Sequence, residues 1–348
     1  MAAGALRIGI VGAGANTRRH HIPKLKAIAG VEIVSVANRS ARSAQRAATE
    51  FGIPTVYEDW RALVGAEDTD AIVIGTWPYM HCPVTLAALA AGKHVLTEAR
   101  MASNADEARR MLAASRDRPD LTCMVVPSPF TFAVDDAVIA RIRGGYLGEI
   151  VGIHLNGIIP GFADFDGPYA WRNNRDFSGW NVLTLGIWYE GLMRWVGEAT
   201  RVMARARTVV RQRIDRETGE PRQVTVPDHV EVIADMACGA IARFSFSAVT
   251  GFAPSQQVWL YGAEGTLCYD HGAQVLLGGR RTDPALTEIE IPETQRGFWR
   301  VEEEFVNAVR GIEPVRRTTF VDGVRYMEFT EAVGRSAATG SAIALPFV

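Results

Sequence analysis

A glycine-rich turn is the first place in the sequence where residue types and spacing could do chemistry. The strand-like run Ile10-Val11 leads into Gly12-Ala13-Gly14. The first glycine permits a tight turn, and the second lets the backbone approach a pyrophosphate at a helix N-terminus. The third fingerprint glycine is replaced by Thr17. We predict a dinucleotide site here, with a turn needed only for backbone geometry as the alternative. The predicted cofactor contacts are Gly12, Gly14, Ala15, Asn16 and Thr17.

The end of the second predicted strand bears on cofactor choice. NAD-selective sites usually place an Asp or Glu there, where it binds the ribose diol. This chain has Asn38 at that point and no carboxylate. Arg39, Ser40 and Arg42 offer guanidinium and hydroxyl groups suited to a 2′-phosphate. We therefore expect Asn38, Arg39, Ser40 and Arg42 to contact the cofactor, and NADP(H) to be favoured over NAD(H).

Alternating strands and helices position these groups. Short apolar runs alternate with longer amphipathic stretches through the first 125 residues or so, which indicates right-handed βαβ units and a parallel sheet covered on both faces. We predict an α/β dinucleotide-binding domain of the Rossmann type, a doubly wound parallel sheet, over residues 1–126. The predicted strands are 6–11, 31–36, 71–74, 94–96 and 121–126.

Beyond Pro127 the pattern changes to long β-runs joined by turns. The runs 230–236 and 241–248 flank Cys238-Gly239, and the runs 257–261 and 266–269 flank Gly262–Gly265, as in hairpins. One apolar helix is predicted around 186–196, and closing helices around 299–310 and 322–339. We predict that residues 127–348 form an α+β domain with an open, mainly antiparallel sheet, which serves substrate binding and oligomerisation.

Composition excludes several classes of protein. The 348 residues carry 37 Lys and Arg against 39 Asp and Glu, so the formal net charge of -2 gives no reason to expect nucleic acid. No apolar run approaches the roughly 20 residues of a membrane span. The start lacks a signal-peptide pattern. The four cysteines are far apart, which argues against a metal site and a disulfide framework. We expect a soluble, cytoplasmic protein without a metal.

Several segments along the chain form a recognisable set. They are Gly12–Gly14 with His20–Pro23, Thr76–His81, Ala91–Val95, Tyr146–Ile150, Tyr261–Leu267, Glu304-Phe305 and Ala337–Gly340. Together they resemble the glucose–fructose oxidoreductase / inositol dehydrogenase (Gfo/Idh/MocA) family over almost the whole chain. The resemblance implies a nicotinamide cofactor, a sugar-like or cyclitol substrate, and a homo-oligomer, dimer or tetramer, formed through the second-domain sheet. It also assigns Thr76, Trp77, His81, Glu98 and Ala99 to the cofactor site.

Two motifs on which the family's hydride chemistry relies are altered. The Glu-Lys-Pro motif, whose Lys assists proton transfer, reads Glu98-Ala99-Arg100 here. An Arg does not exchange its proton near neutral pH, but it can hold a carboxylate or phosphate or stabilise an oxyanion.

The second altered motif is Asp-x-Gly-x-His-x-x-Asp, whose spacing puts three polar groups on one helical face. Thr184 stands at the first Asp, Trp188 at the His and Gly191 at the second Asp. A Trp has no useful titratable proton and no acceptor. Neither motif supplies the acid–base group with a pKa near the operating pH that such catalysis requires.

The remaining candidates follow from the resemblance. As catalytic residues we predict Arg100, Arg172, Tyr189 and Glu190. For the substrate pocket we predict Trp171, Thr184 and Trp188. His81 is expected to order the cofactor loop, and His154 and His229 are expected to be strand residues without a catalytic role.

Three functions fit these residues. The favoured one is an NAD(P)-dependent oxidoreductase acting on a sugar, cyclitol or related alcohol or ketone, with non-standard acid–base residues. A second is a redox-neutral, NAD-using glycosidase that oxidises its substrate transiently, eliminates, adds water and returns the hydride. The third is a cofactor-binding protein that has lost catalysis.

Overall fold

The computed structural model describes residues 4–254 and 256–347. The chain divides into two compact units. The first contains residues up to 127 together with Arg300–Val324, and the second contains Ser128–Trp299 and the residues from Arg325 onward.

The first unit is built on a six-stranded sheet in which every pair of neighbours is parallel. Its strand order, β3-β2-β1-β4-β5-β6, confirms the predicted doubly wound sheet. The strands are β1 Leu6–Val11, β2 Val31–Ala37, β3 Thr55–Val56, β4 Ala71–Ile74, β5 His94–Thr97 and β6 Cys123–Val125. The intervening helices are α1 Ile22–Lys26, α2 Ala41–Phe51, α3 Trp60–Gly65, α4 His81–Ala90 and α5 Ala105–Arg116.

The first helix begins with a π-helical turn, Thr17–His21, before the regular turns of α1. The central strands are buried on both faces. All four residues of β4 are buried, as expected for a parallel sheet between two helical layers. The carboxyl ends of β1, β2, β4 and β5 therefore meet at one edge of this sheet, and the residues that follow them form the candidate cofactor site.

The second unit contains a nine-stranded sheet that is antiparallel except for the β7–β12 pair. Its order is β16-β15-β14-β13-β7-β12-β11-β8-β17, and β9 pairs with β10 separately. The strands are β7 Ile150–Asn156, β8 Ala199–Arg207, β9 Gln212–Ile214, β10 Pro221–Gln223, β11 His229–Met236, β12 Ile241–Ser247, β13 Gln257–Gly262, β14 Gly265–Asp270, β15 Val275–Arg280, β16 Thr287–Glu288 and β17 Ile343–Ala344. Its helices include α6 Asp135–Arg143, α7 Arg175–Ser178 and α8 Leu185–Val196.

Helices cover only one face of this sheet. On β11, Val230 and Val232 are buried, whereas Ile233 points away from the core and is 58% exposed. On the covered face, Tyr189 of α8 stacks on Phe329 with ring centroids 3.6 Å apart and meets Phe244 of β12 edge-on. The predicted open, mainly antiparallel sheet is thereby confirmed.

Two helices close the chain, α9 Val301–Val309 and α10 Phe320–Thr339. We predicted that all of residues 127–348 belong to the second domain, but residues 300–324 group with the first unit. Specific contacts account for the difference. Glu302 binds His21, and the carbonyl of Thr318 accepts a hydrogen bond from Val125 N–H of β6. The first unit is therefore discontinuous in sequence.

Candidate functional site

The glycine turn leaves no space for side chains. Gly12 has a φ of +88°, which only glycine adopts readily, and a Cβ there would lie 2.7 Å from the backbone nitrogen of Thr76. A Cβ on Gly14 would lie 3.2 Å from the carbonyl oxygen of Gly75. The turn after β1 is thus packed directly on the turn after β4, and its backbone stays accessible for a pyrophosphate.

Thr17, at the position of the third fingerprint glycine, is accommodated by a glycine elsewhere. Its hydroxyl donates a hydrogen bond to the carbonyl of Gly12 over 3.2 Å. A Cβ on Gly75 would lie 1.9 Å from that hydroxyl oxygen and 2.4 Å from the Gly12 carbonyl. The larger side chain at Thr17 therefore fits because the residue packed against it, Gly75, has no side chain.

The predicted cofactor residues after β2 have mixed roles. Asn38 Oδ1 accepts the N–H of Ala13 over 2.7 Å, so this side chain holds the glycine turn in place. Ser40 caps α2 by accepting the N–H of Ser43. The guanidinium of Arg39 lies 5.3 Å from the ring centroid of Trp77. Arg42 is exposed and makes no ion pair with any residue in the described part of the chain. The positively charged side chains of Arg39 and Arg42 therefore remain available at this edge of the sheet.

Glu98, retained from the altered Glu-Lys-Pro motif, ends a buried chain of hydrogen bonds. Glu302 Oε1 lies 2.6 Å from Nδ1 of His21, and Nε2 of His21 lies 2.9 Å from Oε1 of Glu98. Asn16 donates its amide to the same oxygen. The chain fixes Glu98 and Asn16 side by side at the edge where the glycine turn lies.

The charge state of this chain follows from its surroundings. Burial alone would lower the pKa of His21, but the hydrogen bonds that its ring donates to two carboxylates outweigh burial and raise that pKa to about 9. Burial alone would raise the pKa of Glu98, and the hydrogen bonds from His21 and Asn16 lower it instead. At neutral pH the arrangement is an imidazolium between two carboxylates.

His81 joins the loops after β4 and β5. Its Nε2 lies 3.0 Å from the carbonyl oxygen of Thr76, and its Nδ1 lies 2.9 Å from that of Arg100. Burial lowers the pKa of His81, so the neutral ring donates to one of these two carbonyls. Through these contacts His81 links the loop after β4 to the loop after β5. The peptide bond between Ala99 and Arg100 is cis, and Arg100 is 8% exposed.

In the second unit, the altered motif lies on α8. Trp188 is fully buried, with ring centroids 5.1 Å from Phe130 and 5.3 Å from His271. We predicted that Trp188 lines the substrate pocket, but its ring is enclosed by these neighbours and offers no surface. Its Nε1 and the Oγ1 of Thr184, one helical turn earlier, are buried without a hydrogen-bond partner among the described residues.

The third motif position is closed by packing. A Cβ on Gly191 would lie 2.9 Å from the hydroxyl oxygen of Thr131 and 3.1 Å from its methyl group. The Asp that the family carries at this position therefore has no room. Glycine here brings the loop before α6 against α8.

Tyr189 and Glu190, predicted as catalytic residues, are both committed to structure. The Tyr189 hydroxyl accepts the N–H of Ala199 over 2.8 Å within the aromatic core, and burial raises its pKa. Glu190 binds Arg194 over 2.8 Å and accepts the N–H of Ser128. These contacts face the interior of the second unit, so we revise both assignments.

The segment carrying Trp171 and Arg172 forms a short 3₁₀ turn. The Arg172 guanidinium is exposed and lies 4.2 Å from the Trp171 ring centroid.

Sequence reasoning missed His271, which follows β14. Its Nδ1 lies 3.1 Å from the carbonyl oxygen of Phe130, and its ring packs edge-on against Trp188. A single histidine after a strand matches no motif, and it lies 83 residues from Trp188 in the sequence. Only the fold brings an imidazole beside the position where the family has one.

Two family models match the chain. The model described as the oxidoreductase family with an NAD-binding Rossmann fold matches residues 6–126, and the GFO/IDH/MocA C-terminal domain matches residues 136–268. The chain belongs to the Gfo/Idh/MocA family of oxidoreductases.

Among relatives, the chain is 28% identical over 338 residues to a dTDP-3,4-didehydro-2,6-dideoxy-alpha-D-glucose 3-reductase of Streptomyces antibioticus, covering 94% of this chain and 96% of that protein. It is 31% identical to the enzyme of the same name from Streptomyces violaceoruber, covering 53% of this chain and 52% of the relative. It is 35% identical to an inositol 2-dehydrogenase of Klebsiella pneumoniae, covering 32% and 33%. The last two alignments span about half and a third of those relatives.

Among solved structures, levoglucosan dehydrogenase in complex with NADH and levoglucosan has a TM-score of 0.85 at 21% identity, covering 99% of this chain and all of the other. An aldose-aldose oxidoreductase from Caulobacter crescentus has a TM-score of 0.77 at 22% identity, covering 98% of this chain and all of the other. At this identity the likeness establishes the fold.

The described residues include neither a membrane span nor a metal cluster. None of their helices is both long and apolar enough to cross a membrane. No group of three or more His, Cys, Asp or Glu side chains within 4–254 and 256–347 is arranged to hold a metal ion.

Proposed function

We propose that this protein is an NAD(P)-dependent oxidoreductase that interconverts an alcohol and a ketone on a sugar, a cyclitol or a related compound. The observation that carries the proposal is the glycine cradle of the first unit. A Cβ would collide with neighbouring atoms at Gly12 and Gly75 and would be crowded at Gly14, and Asn38 ties the cradle to the end of β2. Such close backbone approach is what a pyrophosphate at a helix start needs.

Each group at this edge has a part in holding a dinucleotide. The N–H groups of Ala15, Asn16 and Thr17, where the helix begins, would bind the pyrophosphate, because those of Gly12, Ala13 and Gly14 already donate within the protein. Glu98 and Asn16, fixed by His21, would bind polar groups of the ribose or nicotinamide half. A bound nicotinamide supplies the hydride acceptor or donor, and the protein orients the substrate and manages the proton.

The substrate class is supported by the relatives, which include a deoxysugar-nucleotide reductase and an inositol dehydrogenase. Arg100 and Arg172 are the groups we assign to substrate binding. Both are permanent cations, so each suits a carboxylate, a phosphate or a developing oxyanion.

The first experiment tests cofactor and turnover together. The purified protein is titrated with NADH and NADPH by fluorescence, any cofactor it retains is identified by mass spectrometry, and myo-inositol and levoglucosan are offered with each oxidised cofactor. We expect binding, and a rise in the absorbance of reduced nicotinamide. Failure to bind either cofactor would overturn the proposal. Conversion of a glycoside without any net absorbance change would favour the redox-neutral reaction.

We further propose that NADP(H) is preferred. Support comes from the missing carboxylate at residue 38 and from the cations Arg39 and Arg42 close to it. Arg42→Ala should weaken NADPH binding about tenfold, the loss of one charge-assisted contact of roughly 1.4 kcal/mol. NADH binding should not change. Tighter binding of NADH than of NADPH by the unmodified protein would contradict this preference.

Arg100 can be tested separately. Arg100→Ala should lower kcat/KM by at least tenfold, because a buried cation facing developing negative charge is removed, while NADPH affinity changes less than twofold. Equal loss of cofactor binding would place Arg100 in the cofactor shell instead, and unchanged turnover would remove it from the reaction.

Finally, we propose that the protein is a homo-oligomer joined through the open sheet face of the second unit. Val151, Ile233 and Ile241 on that face are 60%, 58% and 62% exposed. Exposed apolar side chains on an open sheet face favour association. Analytical ultracentrifugation should show a dimer or larger species, and Ile241→Lys should shift it toward monomer. A monomer at micromolar concentration would refute this arrangement.

A further inference from the structure

A small cavity in the second unit is lined almost entirely by apolar groups. It has a volume of about 180 Å³ and lies where the segment leading into α8 meets α10 and two strands of the sheet. Its walls include Val182, Leu185, Val230 and Val333, all of them buried. The face of α10 contributes small residues, among them Ala337, which leave the space open. A volume below the roughly 300 Å³ of sites for drug-sized ligands suits a ligand of only a few carbon atoms.

One charged side chain borders this cavity, that of Arg175 at the start of α7. It is the only charged side chain among the lining residues that the structure describes. Thr330 is the other lining residue with a polar side chain, and its hydroxyl donates to the carbonyl of Tyr326 within α10. A ligand in the cavity therefore meets apolar walls and a single cation.

The Arg175 guanidinium has no partner of opposite charge within residues 4–254 and 256–347. The residue is half-buried, and its Nε is buried without a hydrogen bond to any of these residues. Its central carbon lies 4.4 Å from the ring centroid of Trp180. This cation–π contact holds the side chain in place and uses none of its N–H donors, so they stay available for a ligand.

The surroundings of Arg175 differ from those of Arg194 in the same unit. Burial lowers the pKa of Arg175, and no described carboxylate acts against it. Two carboxylates, Glu190 and Asp135, raise the pKa of Arg194 despite its burial. Both guanidinium groups are charged at neutral pH. A buried donor without a partner is costly, and one that persists in a native structure calls for an explanation such as a missing ligand.

We propose that this cavity binds a small monocarboxylate with a short aliphatic chain, held by Arg175. The planar fork of guanidinium donors matches the two oxygens of a carboxylate, and the apolar walls bury the chain. A neutral ligand would leave the charge unpaired, and a small hydrophilic anion would gain nothing from the walls. The inference goes beyond the proposed oxidoreductase function and does not depend on it, because no lining residue is assigned to cofactor or substrate.

The test measures binding of sodium hexanoate to the purified protein by ligand-observed saturation-transfer NMR, in a buffer without other carboxylates. We expect saturable binding with a Kd of about 1 mM or lower. Acetate has the charge with hardly any chain, and hexan-1-ol has the chain without the charge. Each should bind at least tenfold more weakly than hexanoate. No saturation by about 10 mM hexanoate, or equal affinity for hexan-1-ol, would overturn the proposal.

Three variants place the ligand in the cavity. Arg175→Met keeps an unbranched side chain without the charge, so it should weaken hexanoate binding at least tenfold and leave hexan-1-ol unaffected. Ala337→Leu fills part of the cavity and should weaken both ligands. The matched control Arg211→Met removes an exposed arginine of the same unit that does not line the cavity, and should change neither. Thermal melting checks the folding of all three.

The variants also define what would contradict the site. Hexanoate binding that is undiminished in Arg175→Met would remove the cation from recognition, and binding undiminished in Ala337→Leu would place the ligand elsewhere. Either result overturns the proposal. Arg175→Lys keeps the charge but loses the planar fork, so its affinity for hexanoate should lie between those of the unmodified protein and Arg175→Met. Because binding is measured without nicotinamide or turnover, failure of the oxidoreductase function would leave this result unchanged.

Discussion

The two units treat departures from the family pattern differently. In the first unit, Thr17 replaces a glycine, yet its hydroxyl bonds to the Gly12 carbonyl and Gly75 leaves the space it needs. In the second unit, Trp188 replaces a histidine and Gly191 an aspartate, and both positions are closed by packing. In both units, neighbouring residues make up for the change in side-chain volume. Only in the first unit does the replacing residue make a polar contact of its own.

This contrast shows which kind of function can survive such replacements. A cofactor cradle depends on backbone shape, which a compensating pair of residues preserves. Acid–base chemistry depends on one titratable group, and packing cannot replace it. The charged side chains of α8, Glu190 and Arg194, bind each other and Asp135, so they hold the second unit together.

The largest effect is expected where a buried charge of the second unit is removed. Arg194 binds Asp135 over 2.6 Å and Glu190 over 2.8 Å, and both carboxylates are buried. Arg194→Leu should lower the free energy of unfolding by about 3–5 kcal/mol, because two buried carboxylates lose the guanidinium that balances their charge. Urea denaturation measures this. Arg201→Leu, which breaks the exposed pair with Asp235, should cost less than about 1 kcal/mol. Similar costs for both variants would show that the α8 network is not structural.

The next effect concerns the imidazolium of the first unit. The pKa of His21 is about 9 in the folded protein, above its ordinary value. Its contribution is therefore fully present below about pH 6.5 and is lost as the pH rises to about 9, a change of roughly 3 kcal/mol. Denaturation at several pH values should show this decline.

His21→Gln should remove most of that decline, whereas His20→Gln should leave it. His20 is the matched control because it precedes His21 and its pKa is lowered, mainly by burial. A decline that survives in His21→Gln would assign it to other groups.

The close fit of Thr17 against Gly75 in the first unit can be tested by adding a side chain at residue 75. Gly75→Ala places a Cβ against the Thr17 hydroxyl and the Gly12 carbonyl, which should cost about 1–3 kcal/mol of stability. NADPH affinity should fall at least tenfold, because the turn has to shift. Gly65→Ala at the end of α3 meets nothing within 4 Å and should change neither quantity appreciably. Equal behaviour of the two variants in melting and titration would mean that the cradle is not tightly packed.

The smallest effect comes from restoring the motif in the second unit. Gly191→Asp should cost about 1–3 kcal/mol through overpacking against Thr131. Adding Thr131→Ala should recover part of this loss, with a coupling of at least about 0.5 kcal/mol in a double-mutant cycle. Additive changes would show that residue 131 is not what closes position 191.

The sequence was informative where local pattern controls structure. The alternation of apolar runs and amphipathic stretches predicted the parallel sheet, and the β-runs joined by turns predicted the second sheet. The run Leu6–Val11 is a strand with the predicted bounds. The two-residue strand β3 lies in a stretch with no strand signal and was missed.

Properties that depend on distant partners could not be predicted. Glu302 meets His21 from 281 positions away, so neither the buried chain at Glu98 nor the return of residues 300–324 had a local signature. Tyr189 and Glu190 have residue types that could do chemistry, and only their contacts with Ala199, Ser128 and Arg194 show that they are used for packing.

The return of residues 300–324 to the first unit has a consequence for biosynthesis. Until those residues leave the ribosome, the nascent first unit lacks the Glu302 carboxylate for His21 and the Thr318 carbonyl for β6. Domains usually complete folding in order of synthesis, but this one has to wait until most of the polypeptide has been translated. A fragment that stops near residue 127 should consequently be insoluble when expressed alone, and a chaperone is expected to hold the early chain.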